Sequence, residues 1–340
     1  MRALKREALT EDDLVAAIAG ALGESPRSLR VGIGDDAAVW KTKASHLSLV
    51  TTDMLVDGVH FRLHETSPQA LGHKALAENL SDIAAMGGRP CVAVIALGIT
   101  ADVDEAWARE FYTGMAGLGR RTGCAIAGGD IVRAPVLTIA PTIVGEVRRS
   151  NLRTRAGARA GDVIVVTGPL GLAAAALRVS DARKTDTLRA ESRALLMRAY
   201  FTPEPRLREG RFLGSRRAVH AMMDISDGLS TDVARMARAS ALDAHVDAAS
   251  LSVHPAVAEA ARAAGVDARS LTLDGGDDYE LLVAVETRAY PHVARSFEAK
   301  FGRPLCAVGR FESGAGNVWL LDGDRREPLP RGGYDHFKKL

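Results

Sequence analysis

The stretch RRSNLRTRAGARAGD, Arg148–Asp162, running on into VIVVTGPLG, residues 163–171, decides the fold. Its first part is basic, holds two glycines and lacks apolar periodicity, which marks a junction between domains. Its second part is a strand run, Asp162–Thr167, then a glycine turn opening into an Ala-rich helix over Leu172–Val179. Upstream, the spacing predicts strands over Leu47–Thr52, Cys91–Leu97, Ala125–Ala127 and Val136–Val147, with helices over Pro68–Met86 and Asp104–Thr122. Downstream it predicts strands over Ala218–Met223, Ala244–Val246, Glu280–Val285 and Leu305–Arg310. Helices are expected over Leu188–Tyr200, Pro205–Leu213, Ser230–Ala239, Ala256–Ala264 and Arg288–Lys300. The alternation restarts beyond the junction. The reading is an α+β protein of two layers in two domains, residues 1–148 and 149–340.

Composition narrows the function. The 340 residues carry 44 Lys+Arg against 42 Asp+Glu, a formal net charge of +2, where a dedicated nucleic-acid binder shows a basic excess. Aromatic residues make up only 5%, which weakens base stacking as a binding mode. The apolar run Leu14–Leu22 is far shorter than the roughly 20 residues of a membrane span, and Glu11, Asp12 and Asp13 precede it, unlike a signal peptide. Thr10 with Asp13 reads instead as a helix start. Cys91, Cys124 and Cys306 are odd in number and far apart, the pattern of small apolar residues in a reducing cytoplasm.

The chemistry-bearing signal is the placement of acids at strand ends and glycine turns. Asp35 and Asp36 lie in GIGDDAAV, Asp53 follows Thr51 and Thr52, and Asp82 sits on a predicted helix. Asp130 follows AIAGG as a strand-and-turn, Asp224 and Asp227 flank Ser226, and Asp277 with Asp278 follow Gly275 and Gly276. Each alone reads as a turn or cap residue, Asp227 for instance as the cap of the helix after it. Together, interleaved with hydroxyls, they suit hard divalent cations, Mg²⁺ or Mn²⁺, shared with phosphates. No Walker A, HExxH or Cys/His pattern is present. GPLG is a weak phosphate-turn candidate that helix–strand packing explains as well, and Arg133, Arg153 and Arg155 are candidate phosphate cations.

In order along the chain, GIGDDAAV, TTDMLVDGVHF, KALAENLSDIAAMGGRP, AGGDIVR, GARAGDVIVVTGPLG, MDISDGLSTD, GGDDYELL and GYDHF resemble the thiamine-monophosphate kinase family. That family lies within the aminoimidazole-ribonucleotide synthetase-like superfamily. The resemblance runs from Gly32 to Phe337, and DGVHF and GYDHF favour it over a selenophosphate synthetase-like or hydrogenase-maturation relative. It implies the two-domain superfamily fold, each domain a mixed sheet packed with helices. It also implies a homodimer joined through the N-terminal domains and ATP-dependent phosphorylation of thiamine monophosphate with several Mg²⁺ ions. By the family pattern, Asp36, Thr51, Thr52, Asp53, Asp82, Asp130, Asp224 and Asp227 would hold metal. Tyr112, Gly129, Asp130, Arg155 and Ser226 would contact ATP, and His60, Asp277 and Tyr334 the thiamine substrate. Asp277 stands where some members carry a glutamate. No general base is implied, because an acceptor phosphate oxygen is already anionic. A non-catalytic nucleotide-binding homologue is the alternative from another class, and it would be expected to have lost some of these acids.

Overall fold

The computed structural model describes residues 29–31, 38–41, 44–180 and 185–334. The helix start at Thr10, the run Leu14–Leu22, Asp35, Asp36 and the GYDHF residues after Tyr334 lie outside them. The first sheet holds β1 (Leu29–Val31), β2 (Ala38–Lys41), β3 (His46–Thr52), β4 (Leu55–Val56), β5 (Arg89–Ile99), β6 (Ala125–Arg133) and β7 (Thr138–Arg148). Its order is β1-β2-β3-β7-β5-β6, with β4 also on β7. The β5–β6 pair is parallel and the others antiparallel. The second sheet holds β8 (Val163–Val166), β9 (Val219–Ile225), β10 (Leu242–Asp247), β11 (Glu280–Val285), β12 (Cys306–Ser313), β13 (Val318–Asp322) and β14 (Arg325–Pro328). They run in the order β14-β13-β10-β12-β8-β11-β9, with only β10–β13 parallel. The α+β reading with mixed sheets therefore holds.

Helix α1, Pro68–Ala85, is the axis of the molecule. Ser67 caps it by accepting the Ala70 amide, and Pro68 occupies the first turn, where no amide is needed. Most of its surface is buried, because it is covered on several sides and is not a helix with one wet face. The second helix, α2 (Glu105–Thr122), crosses it with backbones in contact: a Cβ on Gly72 would lie 1.9 Å from the Phe111 carbonyl oxygen. These two helices cover one face of the first sheet, whose core side carries Leu47, Leu49, Ile95, Leu97, Ile139 and Ile143.

The second sheet is covered on both faces, which explains the unbroken apolar strand ELLVAV. Leu281, Val283 and Val285 join the core of the first domain, while Leu282 and Ala284 face a second core with Met223, Ile225 and Val233. One hydrophobic core thus crosses the junction. The junction itself forms two single 3-10 turns, Arg149–Asn151 and Arg155–Gly157. Arg153, a candidate phosphate cation in the sequence, instead donates to the carbonyls of Ser150, Leu152, Arg216 and Val219.

Several local expectations change. The segment around Asp130 is not a strand-and-turn: β6 runs unbroken from Ala125 to Arg133. A bulge lets the chain pass its glycines within the strand, since Ala93 pairs with Ile126 but Ile95 with Gly129. Gly129 is required there, because a Cβ would lie 1.8 Å from the Ile95 carbonyl oxygen. Strands β1, β2, β4, β13 and β14 and the short helix Ala268–Asp274 were not expected. They are two to seven residues long, and β14 is exposed throughout, so they show too little periodicity to read.

Candidate functional site

Lys74, Glu78, Ser81 and Asp82 stand at helical spacing along one side of α1, and this stripe is where the two domains meet. Asp82 Oδ2 accepts the hydroxyl of Thr51, the last buried residue of β3. One residue earlier, Ser81 Oγ donates to Asp224 Oδ2 on β9 at 2.7 Å. Two turns earlier, Lys74 lies 3.4 Å from Glu78 and donates to Asp277 Oδ2 at 2.7 Å. Consecutive turns of one helix therefore touch the strand end of one domain and the loops of the other.

Those loops are tied together by backbone. The Asp277 amide donates to the Ser226 carbonyl at 2.8 Å, and the Tyr279 amide to the Ile225 carbonyl at 2.9 Å. The chain after β14 returns so that the Tyr334 amide donates to the Asp227 carbonyl at 3.3 Å. Gly333 permits this approach, since a Cβ there would lie 1.9 Å from the same carbonyl oxygen. Asp227 does not cap the helix that follows it, Leu229–Ala239, whose cap is Gly228. It pairs instead with Arg235 of that helix, which also donates to Asp232 at 2.9 Å. Buried Asp232 accepts the amides of Ser226 and Asp227, each at 3.1 Å, and so shapes the loop.

Charge is crowded here. Burial pushes the Glu78 carboxyl up to about 7, against the pull of Lys74, and the neighbouring Asp277 and Asp53 charges add to the rise. Burial alone would raise Asp277 too, but the Lys74 ammonium outweighs it and holds that carboxyl below its ordinary range, with His60 contributing. Asp53 and His60 thus lie within the field of the same cluster. The His60 ring is oriented by the Val56 amide, which donates to Nδ1 at 3.0 Å.

The expected metal ligands divide between the two faces of the first sheet. Thr51 and Asp82 lie on the helix-covered side. Thr52, the next residue, points to the other face, where its hydroxyl donates to the Pro141 carbonyl at 2.8 Å. Asp130 pairs in register with Ala96 on the edge strand and is exposed. It is three strands from β3, about 14 Å at the usual strand spacing. Among the described residues no three His, Cys, Asp or Glu side chains gather closely enough to hold a metal by themselves. The chemistry of the donors at the junction nevertheless fits one: all are carboxylate or hydroxyl oxygens, in a cluster whose crowding a cation would relieve.

The expected ATP contacts are likewise dispersed. Ser226 is in the loop beside Asp227, and the Arg155 carbonyl is anchored by the Ser240 hydroxyl at 2.9 Å. Gly129 lies on β6, and Tyr112 on α2 borders a shallow depression with Arg109 and Arg120. The GPLG turn is a packing feature: the Gly171 amide donates to Asp278, 2.9 Å from each carboxylate oxygen. Sequence reasoning missed Lys74, Glu78, Ser81, Asp232, Arg235 and Tyr279. The 74, 78, 81, 82 spacing on an Ala-rich helix was a readable signal; the Asp232–Arg235 contact to the preceding loop was not.

Residues 34–147 match the N-terminal domain of AIR synthase related protein, and residues 159–316 match its C-terminal domain. Thiamine-monophosphate kinase of Bacillus subtilis (strain 168) is 31% identical over 313 residues, covering 92% of this chain and 94% of that protein. Its counterpart in Escherichia coli (strain K12) is 33% identical over 336 residues, 96% of this chain and 98% of that one. Among solved structures, AaThiL complexed with AMPPCP and TMP has a TM-score of 0.81 at 29% identity, covering 96% of this chain and 97% of that one.

Proposed function

Since the chain belongs to the thiamine-monophosphate kinase family, we propose that it phosphorylates thiamine monophosphate with ATP, giving thiamine diphosphate and ADP. The observation that carries this reading is the stripe on α1, through which Thr51, Asp82, Asp224 and Asp277 meet at one junction. An oxygen of the acceptor phosphate attacks the γ-phosphorus, and the bond from that phosphorus to the β–γ bridging oxygen breaks. The nucleophile is anionic already, so no side chain takes its proton.

The obstacle is repulsion between two anions. Mg²⁺ supplies charge neutralisation and in-line alignment when bound. Thr51, Asp53, Asp82, Asp224 and Asp227 are the residues that would hold it at the junction, with Asp36 of the GDD segment. Asp227 would exchange its Arg235 partner for that role. Ser226 and Arg155 lie on the nucleotide side of this assignment, and His60, Asp277 and Tyr334 bind the acceptor.

We assign residues 1–148 to nucleotide and metal binding and dimerisation, and 149–340 to completing the site. A homodimer through the first domain is supported by the sheet face left uncovered by the described residues, which presents Val94 and Ala96, and by exposed Ile131 (56%) and Val132 (54%) on the edge strand. Thr52, Asp130 and Tyr112 lie outside the junction cluster, and Thr52 and Asp130 share that uncovered face. A second copy seated there is the route by which these two would take part. Cysteine usage fits a cytoplasmic protein. No helix of the described residues is long and apolar enough to cross a membrane.

The test is incubation with ATP, Mg²⁺ and thiamine monophosphate, followed by chromatographic separation of the thiamine phosphates. Thiamine diphosphate should appear in step with ADP. Consumption of ATP that ignores thiamine monophosphate but rises with selenide would instead identify a selenophosphate synthetase-like activity.

A further inference from the structure

Lys74 takes no part in the transfer derived above, yet it is among the most completely enclosed charges in the molecule. Its ammonium donates to Asp277 Oδ2 at 2.7 Å, and lies 3.4 Å from both a Glu78 carboxylate oxygen and the Tyr200 carbonyl. The Tyr200 ring centroid is 4.7 Å away. Two of its donors are taken by the Asp277 carboxylate and the Tyr200 carbonyl, and the Glu78 carboxylate adds an ion pair. Only 2% of the Lys74 side chain is accessible, against 38% for Asp277. A ligand can touch the carboxylate but not the lysine behind it.

The carboxylate is held from below on both oxygens. Tyr279 OH donates to Asp277 Oδ1 at 2.9 Å, opposite the Lys74 contact to Oδ2. The backbone is committed to this arrangement, for Asp277 has φ +64° and Tyr279 φ +49°, a region that residues with a Cβ seldom occupy. Between them, Asp278 is fixed by the Gly171 amide. Both carboxylate oxygens of Asp277 are thus held by donors from the protein while the side chain stays partly accessible, in the field of His60.

We propose that Lys74, together with Tyr279, is a positioning residue that fixes Asp277 as an anionic contact for the cationic ring of the acceptor, not for its phosphate. Lys74 thereby sets acceptor affinity without touching the acceptor. This rests on the thiamine monophosphate reading, whose thiazolium ring carries the positive charge.

Steady-state kinetics on the full chain test it, with ATP and thiamine monophosphate varied separately. In Lys74→Met the KM for thiamine monophosphate should rise about tenfold, equivalent to about 1.4 kcal/mol, while the KM for ATP stays within about twofold. Lys74→Arg, which keeps the charge, should recover part of the loss. Tyr279→Phe removes the hydroxyl that clamps Asp277 Oδ1, and that also reaches Glu78, with little change of shape. It should shift the acceptor KM in the same direction, and it decides the matter if Lys74→Met fails to fold. Equal changes in both KM values, or a fall in kcat alone, would show a merely structural role and overturn the proposal. An active wild type whose folded variants keep the acceptor KM would also overturn it while leaving the kinase reading intact. A wild type that forms no thiamine diphosphate would remove both.

Discussion

Replacing Gly114 by Ala tests whether the crossing of two helices sets the position of the site. Gly114 lies on α2 where a Cβ would come within 1.9 Å of the Gln69 carbonyl oxygen of α1, and Gly72 makes the reciprocal approach to Phe111. Contacts to a Cβ essentially never fall below 3.0 Å, so the helices would have to part by about 1 Å or more. Helix propensity by itself favours Ala over Gly by about 1 kcal/mol. Overpacking costs about 1–3 kcal/mol, and the upper end applies because the obstacle is backbone that cannot turn aside. The expected net loss is therefore about 2 kcal/mol in urea denaturation. Because α1 carries Lys74, Glu78, Ser81 and Asp82, a shift of about 1 Å should also lower kcat/KM by about a hundredfold. Gly117→Ala, on the same helix with nothing within 4 Å of the new methyl, is the control. It should gain up to about 1 kcal/mol and leave the kinetics alone. Should Gly114→Ala prove as stable and as active as Gly117→Ala, the close-packing argument is refuted.

Other outcomes follow from the same contacts. Activity should require a divalent cation and be lost in Asp53→Asn or Asp130→Asn with the circular dichroism spectrum unchanged; full turnover in excess chelator would contradict this. Glu280 is 2% accessible and accepts Thr167 Oγ1 and Arg206 Nη2, each at 2.6 Å, with Arg303 at 3.4 Å. Its replacement by Ala leaves two guanidinium groups short of a partner and should cost about 3 kcal/mol, with Gln costing less. A loss under about 1 kcal/mol would show that the network is solvent-compensated. Hydrogen bonds from Ser192 and the Arg189 amide hold the Glu259 carboxyl down at about 2, from an ordinary 4.5. A lowered acid stabilises the fold above its unfolded value and loses that contribution as pH falls. The stability gap between wild type and Glu259→Gln should therefore be full above pH 4.5 and close towards pH 2. A gap constant across that range would rule the carboxylate out as its source.

The elements most legible in the sequence were those with strong periodicity. The strand predicted over Glu280–Val285 is observed with the same bounds, and Pro68–Met86 differs from its helix by one residue. Both have sequence-local causes: a continuous apolar run in one, a Ser-Pro start and an Ala-rich interior in the other. The AIAGGD segment misled because glycine next to aspartate signals a turn by propensity, whereas the bulged strand depends on the approach of Ile95 from a neighbouring strand.

By itself the sequence determined which chemistries were available: oxygen donors and no thiolate or imidazole cluster, in an α+β chain of nearly balanced total charge. Tertiary structure decided which of those donors meet. Thr51 and Thr52 are neighbours in the chain, yet the pleat sends one to Asp82 and the other to the opposite face. Lys74 and Asp277 are 203 residues apart and share a hydrogen bond of 2.7 Å. No local pattern encodes such a pair, because its partners are brought together only when a single hydrophobic core closes across the junction.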